Sequence, residues 1–384
     1  MNVAELRNAA LDLNNVEGLT HRFYRYPARF SPAFAAAAVR CFSEPGQLVL
    51  DPYMGGGTTI VEALAAGRRS VGSDINSLAV FLTRVKTTAL SRDHCAAVRA
   101  WANASVRRIS YRYSRKAIAD ILEDARTGNL SLPRARAIKK AVAIALSSIN
   151  DLPTRRTQEF ARCAVLKTAQ WALDNRRRHT ELSEFRDRLK ANVQEMLIAI
   201  GQLADVLRQH GRETRTPVLM ERNAAQIDSA PVFVRSGQRV DLVITSPPYP
   251  GVHVLYHRWQ VDGRRESAAP FWIADCQDGH GSAYYTFGDR RREGLDFYFD
   301  SLLATLRSIR RTMKMGAHMV QMVAFTDPRK QLTRYLDSMA AAGFEEIVAN
   351  GRRIWRTVPN RKWHATFKGD IPSSREVVLL HRAA

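Results

Sequence analysis

Two textures alternate along the chain. In one, short apolar runs end abruptly at glycine, proline or an acid; in the other, apolar residues recur every three or four positions with little glycine or proline between them. Runs of the first kind lie at 47–51, 70–74, 217–223, 241–245, 317–325, 345–355 and 376–380, and each reads as a strand. Helices are expected around them: a short amphipathic one within 1–20, one opened by Pro32 and running to Arg40, one from Ile60 to Ala66 stopped by Gly67, and two more over 295–310 and 328–342. Strands that alternate with helices predict an α/β fold, a mixed and mostly parallel sheet with helices on both faces.

The second texture fills the middle of the chain. Helices are expected over 92–110, 114–126, 133–149, 154–175 and 181–210, with apolar stripes such as Ile138, Val142 and Ala145, or Ala161, Val165 and Ala169. The chain therefore divides into one part of an α/β core over 1–89, a helical insertion over 90–212, and the remainder of the core over 213–384. No internal repeat or low-complexity segment interrupts this plan.

Charge changes the picture more than composition does. The chain has 384 residues, 45% hydrophobic and 25% charged, as expected of a globular protein. Its 58 Lys and Arg against 37 Asp and Glu leave a net charge of +21, which points to a polyanionic partner, most simply nucleic acid. Residues 92–215 hold 25 bases and 13 acids, with clusters at Arg107-Arg108, at Arg134, Arg136, Lys139 and Lys140, at Arg155-Arg156 and at Arg176-Arg177-Arg178. A solvated helix face is the usual account of such charge; the one-sided balance favours contact with nucleic acid. No run of 18 apolar residues predicts a membrane span, and the start Met1-Asn2-Val3-Ala4-Glu5 does not read as a signal peptide, so a cytoplasmic, nucleoid-associated protein is expected. Cys41, Cys95, Cys163 and Cys276 are far apart and His253, His257 and His280 lack ligand spacing, so no metal site is expected.

Candidate chemistry gathers in four stretches. The segment from His21 to Pro32 interleaves aromatics, bases and prolines, as in a loop lying over a ligand or a basic surface turn. The strand ending at Asp51 runs into Pro52-Tyr53-Met54-Gly55-Gly56-Gly57-Thr58-Thr59 and a helix, half of a nucleotide-binding unit whose glycines admit close approach of a ligand. The lysine of a phosphate-binding loop is missing. Asp74 ends the next strand about 20 residues after the glycines, where ribose hydroxyls are usually read, and Ile75 and Asn76 follow. Structural strand turns are the bland alternative. Residues 250–296 show no clear period and mix aromatics with bases, including His257-Arg258-Trp259, Tyr284-Tyr285 and Arg290-Arg291-Arg292. They suit either a nucleic-acid-facing loop or an aromatic mini-core.

The fourth stretch is Asp241-Leu242-Val243-Ile244-Thr245-Ser246-Pro247-Pro248-Tyr249. Two prolines force the chain out of the sheet in a stiff turn. Such a turn holds the Ser246 hydroxyl oxygen and the Pro247 carbonyl outward as acceptors, with the Tyr249 ring beside them. Two acceptors and a flat ring suit an amino group on a planar base; a cis-proline turn closing a structural strand is the alternative.

Together, Asp51-Pro52-Tyr53-Met54-Gly55-Gly56-Gly57-Thr58-Thr59 and Thr245-Ser246-Pro247-Pro248-Tyr249 resemble the motifs of the S-adenosylmethionine-dependent DNA amino-methyltransferases. Tyr53 stands where that family usually has Phe. Tyr26-Pro27-Ala28-Arg29-Phe30 is similar to the segment that closes over the methionine end of the cofactor. The Ser-Pro-Pro-Tyr form is more typical of N4-cytosine enzymes than of N6-adenine enzymes. The order of the motifs fits one of the permuted classes, and the likeness covers roughly 20–90 and 215–384 but not the insertion, the candidate for target recognition.

The resemblance implies a Rossmann-like class I methyltransferase core with a helical insertion. It implies catalysis by Ser246, Pro247, Pro248 and Tyr249 on the exocyclic N4 amine of a flipped cytosine in double-stranded DNA. On the cofactor side it implies that Gly55 and Gly57 make room for the methionine part. Asp51 would hold its amino end under Tyr26, Pro27 and Phe30, and Asp74 the ribose, with Ile75 and Asn76 bordering the adenine. Tyr53, Met54, Thr58, Thr59 and Asn223 complete the cofactor set. Arg176, Arg177, Arg178, His257, Arg258, Trp259, Tyr284, Tyr285 and Arg290 are the candidate DNA contacts. A cognate restriction nuclease and a homodimer are further partners the family admits. The alternatives are N6-adenine as target, an RNA amino group, or a basic DNA-binding protein without catalysis. No cysteine lies near either motif, which argues against C5-cytosine chemistry; a protein-glutamine target would favour Asn at 246 and would not need the charge.

Overall fold

Eight strands form one sheet in the computed structural model of the chain, and their order follows from which runs are apolar on both faces. The structure describes residues 3–12, 16–26, 30–123, 130, 132–176, 178–211, 216–250, 258–261, 264–279, 287, 294–348, 351–357 and 375–384, without the side chains of Arg134 and of 264–267. The strands are β1 (Leu48–Asp51), β2 (Arg69–Asp74), β3 (Val218–Glu221), β4 (Val240–Thr245), β5 (Trp259–Val261), β6 (Arg264–Ser267), β7 (Met313–Ala324), β8 (Phe344–Glu346), β9 (Ile354–Thr357) and β10 (Arg375–Ala383). The helices are α1 (Val3–Leu11), α2 (Pro32–Phe42), α3 (Thr58–Ala65), α4 (Ser77–Thr87), α5 (Arg92–Arg108), α6 (Ala119–Glu123), α7 (Pro133–Leu146), α8 (Arg155–Leu173), α9 (Leu182–Arg208), α10 (Pro231–Val234), α11 (Ala269–Ala274), α12 (Gly294–Thr312) and α13 (Pro328–Ala341).

The sheet runs β3-β2-β1-β4-β7-β10-β8, with β9 also paired to β10. Pairings from β3 to β7 are parallel, and β10 is antiparallel to β7, β8 and β9. This is the Rossmann-like, mixed and mostly parallel sheet that the sequence predicts. All four residues of β1 are buried, as are both faces of most of β4, because helices cover each side. Side chains alternate accordingly. Val49, Leu242 and Ile244 face α1 and α2, packing on Phe34, Ala38 and Val39. Leu48, Leu50 and Val243 face α12 and α13, packing on Phe299, Leu302, Leu306 and Tyr335.

The middle of the chain is helical as expected, but it is not an appendage. The core of α5, α7, α8 and α9 is continuous with α4 and with Phe23, Tyr24, Ile60 and Leu64 of the sheet domain. A reciprocal cap between Thr154 and Thr157 starts α8, twelve of whose residues are buried.

Three sequence expectations change. α4 was not anticipated; it starts straight after Asp74, with Asn76 as its cap, and its run of buried residues hides its period. The single strand expected over 345–355 is two strands, β8 and β9. Within 250–296, the described residues include a β5–β6 hairpin and α11, too short for a period to show. Their apolar side chains, Trp259, Val261, Phe271 and Ile273, join the helical core, so this part is an aromatic mini-core and not an open loop.

Candidate active site

β1 and β4 lie side by side at the point where strand order reverses, where open α/β sheets take their ligands, beyond the carboxyl ends. One carboxylate ties the two strand ends together. Asp51 Oδ1 accepts from Thr245 Oγ1 at 2.8 Å and from the Tyr53 amide at 3.1 Å, while Oδ2 accepts from Thr59 Oγ1 at 2.6 Å. The group is 2% exposed, and burial pushes its pKa up to about 6 despite these donors. The glycine turn and the Ser-Pro-Pro-Tyr turn are thus joined through a single buried side chain.

The glycine turn needs its glycines. Gly57, with φ of 74°, starts α3, and a Cβ there would lie 2.6 Å from Thr83 Oγ1. Gly55 has φ of 46°, and a Cβ there would meet the Tyr26 ring at 3.1 Å. Tyr26 therefore lies across the turn, and its hydroxyl accepts from Asn76 Nδ2 at 3.4 Å. Asp74, at the end of neighbouring β2, accepts from the amides of Gly55 and Asn76, each at 2.9 Å. Burial, with the charge of Glu221 adding, moves its pKa up to about 6. A glycine cradle, an aromatic cover and a half-buried acid at its rim fit a nucleoside-bearing cofactor.

Other residues of the expected cofactor set sit deeper. Asp51 is sealed in as a brace between loops, with both oxygens already engaged, and not held out to a ligand. Met54 is 3% exposed and its sulfur fills the space beside Gly72. Phe30, 7% exposed, packs edge-on against Phe34 at 5.4 Å in the α2 core. Thr58 and Thr59 are buried in the first turn of α3. The Tyr53 ring lies edge-on to Phe287 at 5.9 Å. Ile75 is half-buried, and exposed Asn223 caps the turn after β3 by accepting from the Ala225 amide at 2.9 Å. Pro27 lies outside the described residues.

At the other turn, both prolines are trans. Ser246 Oγ is 2.9 Å from the Met322 carbonyl and 3.1 Å from the Tyr249 hydroxyl. Tyr249 is in turn 3.1 Å from Glu376 Oε1, and Arg356 holds Glu376 Oε2 through Nε at 2.7 Å and Nη2 at 2.6 Å. The Met322 carbonyl can only accept, so Ser246 Oγ, which donates toward it and toward the Tyr249 hydroxyl, keeps lone pairs with which to take an incoming N–H. Among the described residues no donor reaches the Pro247 carbonyl. The Pro248 carbonyl is taken by the Tyr298 hydroxyl at 2.7 Å, which pins the turn.

Sequence reasoning missed Thr245, Met322, Arg356, Glu376 and Tyr298. Only Glu376 carried a readable signal, an acid opening the apolar run Val377-Val378-Leu379-Leu380.

The expected DNA contacts fare differently. Trp259 is 1% exposed and donates from Nε1 to the Tyr24 hydroxyl at 2.8 Å; it is a core residue, which corrects its assignment to DNA. Arg258 is ion-paired with Asp278, and Arg178 with Glu184. The Arg176 guanidinium lies 4.1 Å from the centre of the Trp171 ring. Arg177, His257, Tyr284, Tyr285 and Arg290 lie outside the described residues. Among the described residues no helix is long and apolar enough to cross a membrane, and no group of His, Cys, Asp and Glu could hold a metal.

Residues 7–83, which carry the cover, the glycine turn and Asp74, match the family model of N6/N4 methyltransferases described as DNA methylase. Over 77 residues the chain is 38% identical to Type II methyltransferase M.MvaI of Kocuria varians, covering 19% of this chain and 17% of that protein. Type II methyltransferase M.MjaII of Methanocaldococcus jannaschii is 30% identical over 66 residues, 17% of this chain and 12% of that one. DNA adenine methyltransferase YhdJ of Escherichia coli is 35% identical over 66 residues, 17% of this chain and 22% of that one. The chain thus matches less than a quarter of the length of each of these relatives. Among solved structures, TrmN from Thermus thermophilus overlays 95% of this chain and 53% of that one at 12% identity and a TM-score of 0.36, too loose a likeness to carry weight.

Proposed function

We propose that this chain is a DNA amino-methyltransferase that methylates the N4 amine of cytosine in double-stranded DNA. The observation that carries the reading is the Ser246 hydroxyl oxygen, held by the Met322 carbonyl and the Tyr249 hydroxyl, beside a Pro247 carbonyl that no donor among the described residues reaches. An exocyclic amine shares its lone pair with the ring and is a poor nucleophile. Acceptors placed on its hydrogens draw the nitrogen toward tetrahedral geometry and return that pair, and such preorganised groups usually supply the largest catalytic contribution. Ser246 Oγ and the Pro247 carbonyl take those hydrogens, and the Tyr249 ring stacks on the base, offsetting part of the few kcal/mol that flipping costs.

S-adenosylmethionine, when bound, supplies an electrophilic methyl group. Gly55 and Gly57 would admit its methionine part under Tyr26, and Asp74 would hold its ribose. Asp51 works from behind: by tying Thr245 to Thr59 it fixes the distance between the cofactor turn and the target turn. The names of two relatives as Type II methyltransferases support a role in restriction–modification, and we place the chain beside a cognate nuclease on that ground.

A second reading, N6 of adenine, is favoured by the likeness to a DNA adenine methyltransferase. That likeness covers 66 residues, 17% of this chain. The test is to express the chain in a host without amino-methylation, digest the DNA and identify the modified nucleoside. N4-methylcytosine is expected; N6-methyladenine moves the target. No modified base, with no cofactor binding by calorimetry, would leave a basic DNA-binding protein.

A further inference from the structure

The basic residues of the helical layer fall into two groups. Some are ion-paired where they stand. Arg84 and Arg155 share Glu159 at 3.1 and 2.9 Å, Lys167 meets Glu195 at 2.9 Å, Arg162 meets Asp275 at 3.3 Å, and Arg178 meets Glu184. The turn from α5 toward α6 is different. From Arg107 to Lys116 the sequence Arg-Arg-Ile-Ser-Tyr-Arg-Tyr-Ser-Arg-Lys holds five bases and no acid. Arg107, Arg112, Arg115 and Lys116 are exposed, and none has an ion-pair partner among the described residues.

The turn is nonetheless held in shape. Lys140 donates to the Tyr111 carbonyl at 2.8 Å, and Arg108 to the Tyr113 hydroxyl at 2.6 Å, with its guanidinium 5.4 Å from that ring. Ile109 is fully buried, and Tyr111 projects a ring that is 63% exposed. Lys139 feels the surplus: burial lowers its pKa first, and the charge of Arg115 lowers it further.

Contacts lead from this turn to the sheet edge. α6 follows it directly, and the Ile121 carbonyl accepts from Trp272 Nε1 at 3.1 Å. Beyond α11, the Gln277 carbonyl accepts from Ser77 Oγ at 2.6 Å, one residue after Asn76. A rigid strut therefore connects the basic turn to the cofactor edge.

We infer that the turn bearing Arg107, Arg112, Arg115 and Lys116 is the backbone grip for duplex DNA flanking the target base, and that the Arg176–178 cluster is not. The inference rests on the DNA reading proposed above. Four unopposed cations on a fixed turn suit consecutive phosphates, which position a duplex without reading its sequence.

The test compares full-length wild type with the quadruple variant Arg107→Ala, Arg112→Ala, Arg115→Ala and Lys116→Ala. Binding to two duplexes of unrelated sequence is followed by fluorescence anisotropy across a salt series. Each lost phosphate contact removes about one from the slope of log K against log salt. The expected result is a slope flatter by about four on both duplexes, with KM for DNA raised and kcat at saturating DNA unchanged. The charge-keeping variant Arg107→Lys, Arg112→Lys, Arg115→Lys should retain the wild-type slope, which separates charge from misfolding. Arg176→Ala with Arg178→Ala should retain it too. An unchanged slope in the quadruple variant, with wild type binding DNA normally, overturns the grip and leaves the methyltransferase reading intact. Failure of wild type to bind duplex DNA overturns both, as does tighter binding to an RNA duplex of equal length.

Discussion

The sheet edge and the helical layer treat charge in opposite ways. At the edge the acids Asp51, Asp74 and Glu376 are withdrawn from solvent, and each is held by named donors from another part of the chain. In the layer bases predominate, and those of the turn at 107–116 that lack ion-pair partners among the described residues, Arg107, Arg112, Arg115 and Lys116, stand on the surface. Buried charge at the edge fixes geometry, because an unsatisfied group there would be costly. Exposed charge in the layer fixes nothing internal and is free to meet a partner.

The sharpest way to break that contrast is at Trp259. As a core residue of the layer, Trp259→Ala should destabilise the protein by about 3–5 kcal/mol in urea unfolding, while the salt dependence of DNA binding by the folded fraction stays as in wild type. A stable variant with weakened DNA binding would put Trp259 back among the contacts. At the edge, Ser246→Ala should lower kcat by about 3 kcal/mol, a hundredfold or more, with cofactor affinity unchanged in calorimetry. Full turnover would show that the serine lone pairs are not needed.

Smaller effects sharpen the same contrast. Thr245→Val removes one donor from buried Asp51 and should cost about 1–3 kcal/mol of stability, with a parallel loss of turnover. Asp51 and Asp74 bind protons more tightly folded than unfolded, since their pKa values rise to about 6 from a usual value of ~4. Between those values the native state holds the extra protons, so their contribution to stability falls as pH rises from about 4 through 6 and is flat above. Urea titrations across that window should show the decline, and Asp51→Asn should flatten part of it. Least of all, Arg178→Ala breaks only an exposed, solvent-screened pair with Glu184 and should leave the urea midpoint as in wild type.

What the sequence revealed, and what it hid, follows from how far apart the interacting residues are. β1, the glycine turn and β4 were legible because their signals are contiguous: an apolar run, then glycines or prolines. Ser246 and Asp74 were legible as strand ends for the same reason. The role of Asp51 was misread because its partner Thr245 lies 194 residues away. Trp259 and Arg176 looked like nucleic-acid contacts because aromatics among bases often are. Their actual partners, Tyr24 and Trp171, belong to other elements, and no local pattern announces them. The basic turn at 107–116 is the converse: its run of five bases without an acid is legible, but the lack of ion-pair partners among the described residues for Arg107, Arg112, Arg115 and Lys116 is not.

Glu376 lies 127 residues beyond the tyrosine it holds, and Arg356, which holds Glu376, also donates to the carbonyl of Ala10 in α1 at 3.3 Å. The hydroxyl beside Ser246 is thus anchored only once β10 lies between β7 and β8 with β9 paired to it, so the geometry of one turn depends on strands at the far edge of the sheet.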